Sequence, residues 1–334
     1  MLLSPPLHHP EQIASFRRRL SRWYQRSKRE LPWRGERDPY RIWVSEIMLQ
    51  QTRVAVAVAR YPRFLRRFPD IKRLARSPLS QVLAEWSGLG YYRRARNLHA
   101  AARELTRRQQ RFPRTAAEMQ ELPGIGRYTA AAIASIAFAE PVAVVDGNVE
   151  RVLRRLLAPA SPDCWNAAQQ LLDPQRPGDF NQAMMELGAT VCLPSKPECG
   201  VCPLSSFCPL SEVGNRKKAQ PRKTRKRKTV AHAIVRKAGR ILLVRRPQNT
   251  SLMPGMWELP LLRSAPQRVH LRLRHSITDT DYEVLVSIRS ITGLKNRGGR
   301  WFHPRQLDQV PITGLTRKIL KRAAVFGIEL GGDK

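Results

Sequence analysis

The chain has 334 residues, of which 60 are lysine or arginine and 26 are aspartate or glutamate, so its formal net charge is +34. Because 42% of the residues are hydrophobic, the chain can bury two or three domain cores, which excludes wholesale disorder. It has neither an apolar run that could span a membrane nor a secretory signal pattern, so we expect a cytoplasmic protein. The positive excess favours nucleic acid as the partner, although a genome that favours arginine throughout would produce the same excess.

The first half of the chain has a helical pattern. Between residues 11 and 190, apolar residues recur with helical spacing, and prolines and glycines separate one helical stretch from the next. This pattern predicts an all-α domain. Asp38 is followed by Pro39, the arrangement of an N-cap and a first helical turn, and predicts a helix that extends to Thr52.

This predicted helix carries a carboxylate on an apolar face. With 3.6 residues per turn, Glu46 lies on the same face as Ile42 and Trp43. Burial disfavours the charged form of a carboxylate, so Glu46 could serve as a general acid near neutral pH. A buried glutamate that only satisfies its own hydrogen bonds would have the same pattern.

A turn rich in glycine joins two predicted helices near residue 125. The first helix begins at Thr115, and the second occupies residues 130–139. Gly124 and Gly126 let a ligand approach the backbone closely, and they leave N–H groups and Arg127 at the start of a helix, where anions bind. The turn therefore predicts a helix-hairpin-helix that holds a DNA phosphate, although an ordinary turn between two helices would also fit.

A second carboxylate precedes another predicted helix. Asp146 follows the apolar run 142–145 and comes directly before Gly147 and Asn148. Near a helix N-terminus, the backbone dipole favours the ionised form of a carboxylate. A protonated Glu46 and an ionised Asp146 together indicate acid and base chemistry at a glycosidic bond, although Asp146 as a simple helix cap is the alternative.

Four cysteines lie close together after the helical region. They are separated by six, two and five residues, and they are Cys192, Cys199, Cys202 and Cys208. A zinc site usually has two closely spaced cysteine pairs, whereas only one close pair is present here. The spacing therefore favours an iron–sulfur cluster held by four thiolates, with zinc or two disulfides as the alternatives. Cys164 lies outside this pattern and is predicted to be a free thiol.

The pattern changes after the cysteines. Residues 211–228 are strongly basic and are predicted to form an interdomain linker, for which DNA contact is an open alternative. From residue 229 onward, short β-branched runs and one helical stretch predict a smaller α+β domain of residues 229–330. The predicted strands and helix are residues 230–235 and 241–244 around a hairpin turn, 269–273, 282–288 and 316–326.

These motifs resemble a known enzyme family. Residues 122–130, 145–149 and the cysteine loop 192–208 resemble the endonuclease III superfamily of DNA glycosylases. Within it, four further segments resemble the MutY family of adenine glycosylases: residues 31–34, 43–52, 88–92 and 181–188. The resemblance implies a mainly α helix-hairpin-helix glycosylase domain at residues 11–210, with one [4Fe-4S] cluster on the cysteine loop and a C-terminal Nudix-like domain.

The resemblance also implies roles for individual residues. The adenine would be flipped out of the duplex, protonated at N7 by Glu46 and released, while Asp146 stabilises the oxocarbenium ion with support from Tyr128 and Asn148. Further residues match positions that line the adenine pocket or fill and wedge the duplex, although the aromatic ones could instead belong to the core: Trp33, Arg34, Gln51, Tyr91 and Glu186.

Tyr128 separates two reaction types. Glycosylases of this superfamily that also cleave the strand have a lysine at this place, which forms a Schiff base with the sugar. Tyrosine cannot form the imine, so we expect base removal without an efficient lyase step. A lyase acting on oxidised pyrimidines, and a DNA-binding protein that uses its cluster for redox sensing, are the alternatives.

In this family the Nudix-like domain recognises 8-oxoguanine opposite the adenine. The C-terminal domain of this chain lacks the acidic helix that binds Mg²⁺ in Nudix hydrolases, so we expect no nucleotide hydrolysis. His275 and Thr278 match the family's reading loop, whereas Ile277 and Asp279 replace its aromatic residue and its second histidine. The expected partner is double-stranded DNA with adenine opposite 8-oxoguanine or guanine, bound by a monomer in the bacterial cytoplasm, at the nucleoid.

Overall fold

The protein is represented here by a computed structural model. It describes residues 9–109, 111–157, 163–209, 225–290 and 299–325. Their fold divides into two compact units, one from the described parts of Met1–Ala75 and Ala100–Gln220, the other from those of Arg76–His99 and Pro221–Lys334. Among the described residues, no helix is both long enough and apolar enough to cross a membrane.

The region before the cysteine loop is helical, as its periodicity predicts. The helices are α1 (Pro10–Ser27), α2 (Pro39–Leu49), α3 (Val54–Arg67), α4 (Ile71–Arg76), α5 (Leu79–Glu85), α6 (Arg93–Arg107), α7 (Ala116–Gln120), α8 (Arg127–Phe138), α9 (Gly147–Leu156), α10 (Cys164–Leu171) and α11 (Pro177–Thr190). Two short 3-10 helices, Cys199–Val201 and Ser205–Phe207, shape the cysteine loop.

Two helix caps predicted from local sequence are confirmed. Asp38 caps α2 by accepting a hydrogen bond from the Tyr40 amide at 2.8 Å. Thr115 and Glu118 form the reciprocal capping box at the start of α7. Such caps depend on side chains that reach amides two or three residues away, so they can be read from sequence alone.

Two helix boundaries differ from the prediction. Helix α2 ends at Leu49 and does not extend to Thr52, because Gln51 has a left-handed φ of 53° that breaks the helix. Helix α8 begins at Arg127 and not at Ala130, since the extended backbone of Gly126 acts as its N-cap. The hairpin turn is therefore shorter than expected, and both Arg127 and Tyr128 belong to the helix.

A hydrophobic core holds α1, α9, α10 and α11 together. Phe16 and Leu20 of α1 are fully buried against Leu153 of α9 and Leu187 of α11. At the crossing of α9 and α11, a Cβ added to Gly188 would lie 2.7 Å from the Cβ of Asn148. The glycine therefore lets α11 approach the first turn of α9 closely.

The second unit contains a mixed sheet. Its strands are β1 (Lys226–Lys237), β2 (Arg240–Arg245), β3 (Trp257–Glu258), β4 (Leu261–Leu262), β5 (Leu271–Ile277), β6 (Thr280–Arg289) and β7 (Gly299–Phe302). The order is β3-β2-β1-β6-β5, with β4 paired to β1 and β7 paired to β2. β1 and β6 are parallel, and helix α12 (Gly314–Val325) contributes apolar residues to the core of the unit.

The predicted hairpin and helix of this unit are confirmed, and its shortest strands were not predicted. β1 and β2 are joined by Ala238 and Gly239, both with positive φ, as a two-residue hairpin turn requires. β1 begins at Lys226, within the basic stretch predicted as a linker, whereas residues 211–224 of that stretch lie outside the described residues. The fold class predicted from the sequence, a helical domain followed by an α+β domain, is confirmed.

Candidate active site and cysteine loop

Glu46 and Tyr128 meet in the interior of the first unit. Glu46 is almost fully buried on α2, and the Tyr128 hydroxyl donates a hydrogen bond to Glu46 Oε2 at 2.8 Å. Burial raises the pKa of the Glu46 carboxyl, the Tyr128 hydrogen bond and the positive charge of Arg34 oppose that rise, and the negative charge of Asp146 adds to it. Glu46 therefore has the raised pKa expected of a general acid.

Asp146 is held at the start of α9, as the sequence predicts. Its Oδ1 atom accepts hydrogen bonds from the Asn148 amide at 2.9 Å and the Val149 amide at 2.8 Å. Its Oδ2 atom accepts a third from the Asn148 side chain at 3.0 Å. These donors fix the carboxylate in one orientation, and its charge acts on both Glu46 and Tyr128.

Arg34 and Glu186 form a buried ion pair beside this site. Arg34 Nη2 lies 2.6 Å from Glu186 Oε2, and Arg29 donates its Nε and Nη2 hydrogens to the same carboxylate at 2.6 and 3.0 Å. Burial would raise the pKa of Glu186, but the hydrogen bonds from Arg29 and the charges of both arginines more than offset it, so that pKa is lowered. Glu186 is thus an ionised anchor for Arg34, whose other amino group contacts Gln182.

The remaining predicted pocket residues have different surroundings. Trp33 is buried and packs edge-to-face on Tyr61, with ring centroids 5.5 Å apart. Gln51 is exposed and has a left-handed backbone. Tyr91 belongs to the second unit, and its backbone has a positive φ. Its exposed ring lies under the Arg94 guanidinium. Trp33 thus has the environment of the core alternative, whereas Gln51 and Tyr91 are available to a ligand.

The hairpin presents its glycines and its arginine to solvent. Gly124 has a φ of +77°, a conformation that would be strained for a residue with a side chain. Gly126 has a negative φ, and no atom lies within 4 Å of an added Cβ. Arg127 is exposed at the first position of α8, and the next residue, Tyr128, points to Glu46. A cavity of 410 Å³ is lined by Asp146, Gly147, Trp165 and further residues within or just before α9 and α10.

The predicted reading loop is the tip of the β5–β6 hairpin in the second unit. His275 is half-buried, and burial together with the nearby Lys318 lowers its pKa. Thr278 is exposed with a positive φ, and its backbone carbonyl accepts a hydrogen bond from Arg225. The Asp279 carboxylate accepts hydrogen bonds from Thr278 and Thr280.

The four cysteines fit a cluster better than a single ion. All four are free thiols, and the Cys202 thiol interacts electrostatically with the other three. Burial raises the pKa of Cys202 to about 11, so a metal or cluster that binds this sulfur would have to displace its proton. No three histidine, cysteine or acidic side chains among the described residues converge tightly enough to hold one ion. A cubane binds one thiolate at each of four irons and suits this wider set.

Two arginines on α9, which the sequence did not single out, contact the cysteine loop. Arg155 donates to the Cys192 sulfur at 3.1 Å and to the Leu193 carbonyl at 2.8 Å. Arg151 donates to the Cys192 carbonyl and also to the side-chain oxygen of Asn148, both at 2.9 Å. Their spacing of four residues on the helix that Asp146 caps was the available signal.

The sequence matches two described protein families. Residues 44–173 match the HhH-GPD superfamily of base excision DNA repair proteins, and residues 192–208 match the iron-sulfur binding domain of endonuclease III. The cofactor of the loop is therefore the [4Fe-4S] cluster of this family, as predicted.

Curated relatives are similar over most of this chain. Adenine DNA glycosylase of Mus musculus is 39% identical, and the match covers 77% of this chain and 62% of the relative. The proteins of the same name from Homo sapiens and Arabidopsis thaliana are 39% and 41% identical, and the matches cover 59% and 46% of their lengths. The chain thus spans less than two thirds of each of these relatives.

Solved structures share the fold. A thermostable thymine-DNA glycosylase has a TM-score of 0.56 with 28% identity, and the match covers 61% of this chain and 98% of that one. Endonuclease III in a non-covalent DNA complex has a TM-score of 0.55 with 23% identity, covering 63% of this chain and 100% of that one. Residues 44–173 therefore match the HhH-GPD superfamily of base excision DNA repair proteins, and the chain is similar to the adenine DNA glycosylases over most of its length.

Proposed function

We propose that this protein is a monofunctional DNA glycosylase of base excision repair. It hydrolyses the N-glycosidic bond of adenine mispaired with 8-oxoguanine or guanine and leaves the strand uncut. The observation that carries the proposal is the hydrogen bond from Tyr128 to the buried Glu46, beside the charge of Asp146. One carboxyl with a raised pKa and one held as a helix cap are the two groups that glycosidic hydrolysis requires.

The reaction uses the two carboxyl groups in succession. Protonated Glu46 delivers its proton to N7 of the flipped adenine, which makes the base a better leaving group. The electron pair of the glycosidic bond departs with the base, and the sugar develops positive charge. Asp146, oriented by Asn148, stabilises that charge until water adds to the sugar carbon. The added water gives up one proton to the Glu46 carboxylate, which restores the protonated acid.

Tyr128 assigns the reaction to hydrolysis alone. Burial and the neighbouring carboxylates Glu46 and Asp146 raise the pKa of Tyr128 well above its usual value, so its hydroxyl remains a hydrogen-bond donor. A phenol has no nitrogen with which to form an imine, so no Schiff base with the sugar is available at this position.

Other residues form the surroundings of the base and of the duplex. Trp33, Arg34 and Glu186 support the adenine pocket, and Gln51 fills the space that the base has left in the duplex. Tyr91, which belongs to the second unit, wedges the duplex. In the second unit, His275 and Thr278 read the opposite base. The exposure of Gln51, Tyr91 and Thr278 supports a role in contact with DNA.

DNA is held through the hairpin by the amides near Gly124 and Gly126 and by Arg127. A net charge of +34 favours such a polyanionic partner. Glu46 and Asp146 come from the same compact unit, so a monomer is sufficient for the chemistry. We place the enzyme in the bacterial cytoplasm, at the nucleoid. The [4Fe-4S] cluster on Cys192, Cys199, Cys202 and Cys208 supplies a structural link that fixes the loop.

The test is an excision assay with a duplex containing adenine opposite 8-oxoguanine. Wild-type protein should release free adenine and leave an abasic site, and the Glu46→Gln variant should bind the duplex but release no base. Glu150→Gln, which removes an exposed carboxylate of α9, is the matched control and should retain the wild-type rate. Turnover by Glu46→Gln would reject Glu46 as the acid.

The same assay separates the proposal from its alternatives. Efficient trapping of a covalent protein–DNA adduct with borohydride would indicate a lyase. Binding of the duplex by the wild type without release of any base would indicate a non-enzymatic DNA-binding protein. Equal excision opposite guanine and 8-oxoguanine would reject the reading role of the second unit.

A further inference from the structure

Arg127 of the hairpin is stacked on an aromatic ring. Its guanidinium carbon lies 3.9 Å from the centroid of the Trp165 ring, the shortest such distance among the described residues. Trp165 is half-buried at the second position of α10, whereas Arg127 is exposed. The two residues are 38 positions apart in sequence, so the contact joins the hairpin to a separate helix.

Trp165 is itself firmly placed. Asp163 caps α10 by accepting hydrogen bonds from the Trp165 amide at 3.0 Å and the Asn166 amide at 3.4 Å. The adjacent Cys164 and Ala168 are buried in the core of the unit. The indole is therefore presented from a helix turn that is capped at its start and packed on its inner face.

The stack leaves the hydrogen-bonding edge of the arginine available. A guanidinium carries all its N–H donors in its plane, and a ring below that plane uses none of them. No ion pair joins Arg127 to a carboxylate in the described part of the chain. A carboxylate partner would occupy those donors, whereas an indole fixes the direction of the side chain and leaves the donors free for a phosphate.

The same indole borders the surface around Asp146. Trp165, Asp146 and Gly147 line one cavity of 410 Å³. A phosphate held by Arg127 would therefore lie next to the wall that carries the second carboxylate. Phosphate binding by Arg127 would therefore take place close to Asp146, and so close to the nucleotide that reacts.

We propose that Trp165 is a positioning residue that directs Arg127 onto a DNA phosphate next to the nucleotide undergoing excision. This inference rests on the proposed function, because it requires that the hairpin binds duplex DNA. It adds a residue on α10 to the DNA-binding surface, although Trp165 need not touch the DNA itself.

The experiment is a double-mutant cycle on the full-length protein with its cluster. The variants are Trp165→Leu, which keeps apolar bulk without a ring, Arg127→Ala, the double variant, and Trp165→Phe. The dissociation constant of a duplex with adenine opposite 8-oxoguanine is measured at several salt concentrations, together with the free energy of unfolding of each variant. Arg154→Gln, alone and with Trp165→Leu, is the matched control, because Arg154 lines the same cavity but pairs with Glu150.

The expected result is specific to positioning. Trp165→Leu should weaken duplex binding by about 5-fold and, like Arg127→Ala, lower the slope of log affinity against log salt by about 1. The double variant should bind no more weakly than Arg127→Ala, the pair with Arg154→Gln should be additive, and Trp165→Phe should restore most of the affinity.

Two results would overturn the inference. One is a Trp165→Leu variant with the same salt slope as wild type, in which only the free energy of unfolding has changed. The other is full additivity of Trp165→Leu and Arg127→Ala. A wild-type protein that does not bind the duplex would instead reject the proposed function, so the two failures are distinguishable.

Discussion

The Arg151 guanidinium donates a hydrogen bond to the side-chain oxygen of Asn148 at 2.9 Å, while the side-chain nitrogen of Asn148 donates to Asp146 at 3.0 Å. Arg151 also contacts the carbonyl oxygens of Gly188 and Cys192. One side chain thus joins the second carboxylate, the crossing of α9 and α11, and the start of the cysteine loop. Arg151 therefore connects the Asn148 side chain, which donates to Asp146, to that crossing and to the loop.

We expect Arg151→Gln to reduce the single-turnover rate of adenine release by about 10- to 100-fold, because a small displacement of a reacting group is costly in rate. Duplex affinity should change little. Arg154→Gln, which removes an exposed pair with Glu150 on the same helix, should leave the rate unchanged. Equal rates for Arg151→Gln and wild type would show that Asn148 keeps its orientation without Arg151.

Replacement of Glu46 by glutamine should change the pH dependence of stability. Because the folded-state pKa of Glu46 is raised above its ordinary value of 4.5, its contribution to stability is fully present below pH 4.5 and is lost as the pH rises through the folded-state pKa. Glu46→Gln should therefore be more stable than wild type at neutral pH and similar to it under acid conditions. Denaturant unfolding at several pH values measures the difference, and a gain in stability confined to acid pH would contradict the burial effect.

The raised pKa of Glu46 also predicts whether the excision rate rises or falls with pH. In the proposed reaction Glu46 acts in its protonated form, so the single-turnover rate should fall as the pH rises through its pKa. That fall should be absent from the pH profile of duplex affinity, which does not require the proton. A rate that increases through the same pH range would assign Glu46 to a base role.

The two hairpin glycines should respond differently to alanine. At Gly126 a Cβ would meet open space, so Gly126→Ala should keep the free energy of unfolding within about 1 kcal/mol of wild type. Its duplex affinity should fall at least about 10-fold if a phosphate approaches the backbone there. Gly124 has φ +77°, so Gly124→Ala should destabilise the fold by about 1–2 kcal/mol. Unchanged affinity in Gly126→Ala would move the phosphate away from this turn.

The cysteine loop should lose its cluster when one thiol is removed. Cys202 interacts electrostatically with the other three thiols, so Cys202→Ser should lose visible absorbance and bound iron. Cys164→Ser is the control, because Cys164 is buried on α10 and lies outside the cysteine loop. A colourless, zinc-containing wild type that remains active would overturn the cluster assignment.

Features set by neighbouring residues were predictable from the sequence. The caps at Asp38, Thr115 and Asp146 involve amides two or three residues away. The spacing of the four cysteines along the chain by itself favours an iron–sulfur cluster. The hairpin turn at Ala238 follows from its glycine neighbour. The family resemblance also singled out Glu46 and Tyr128 as candidates, although their direct contact is a tertiary feature.

Features set by distant residues were not predictable in the same way. Arg29 and Glu186 are separated by 157 positions, and nothing in either local segment indicates their pairing. The two-residue strands β3 and β4 are too short for any periodicity, and they form because β1 and β2 provide an edge for pairing. The early end of α2 depends on the left-handed Gln51, a residue type that usually avoids this conformation.

Arg127 and Tyr128 are consecutive residues of one helical turn, yet one is exposed and the other donates to Glu46. Successive side chains on a helix point about 100° apart, so the rotational phase of α8 determines both directions at once. A twist of this turn that improves the reach of Arg127 also swings the Tyr128 hydroxyl relative to Glu46. Under the proposed function, phosphate binding by Arg127 and the hydrogen bond from Tyr128 to Glu46 therefore depend on the same rotation of α8, and a change in one would alter the other.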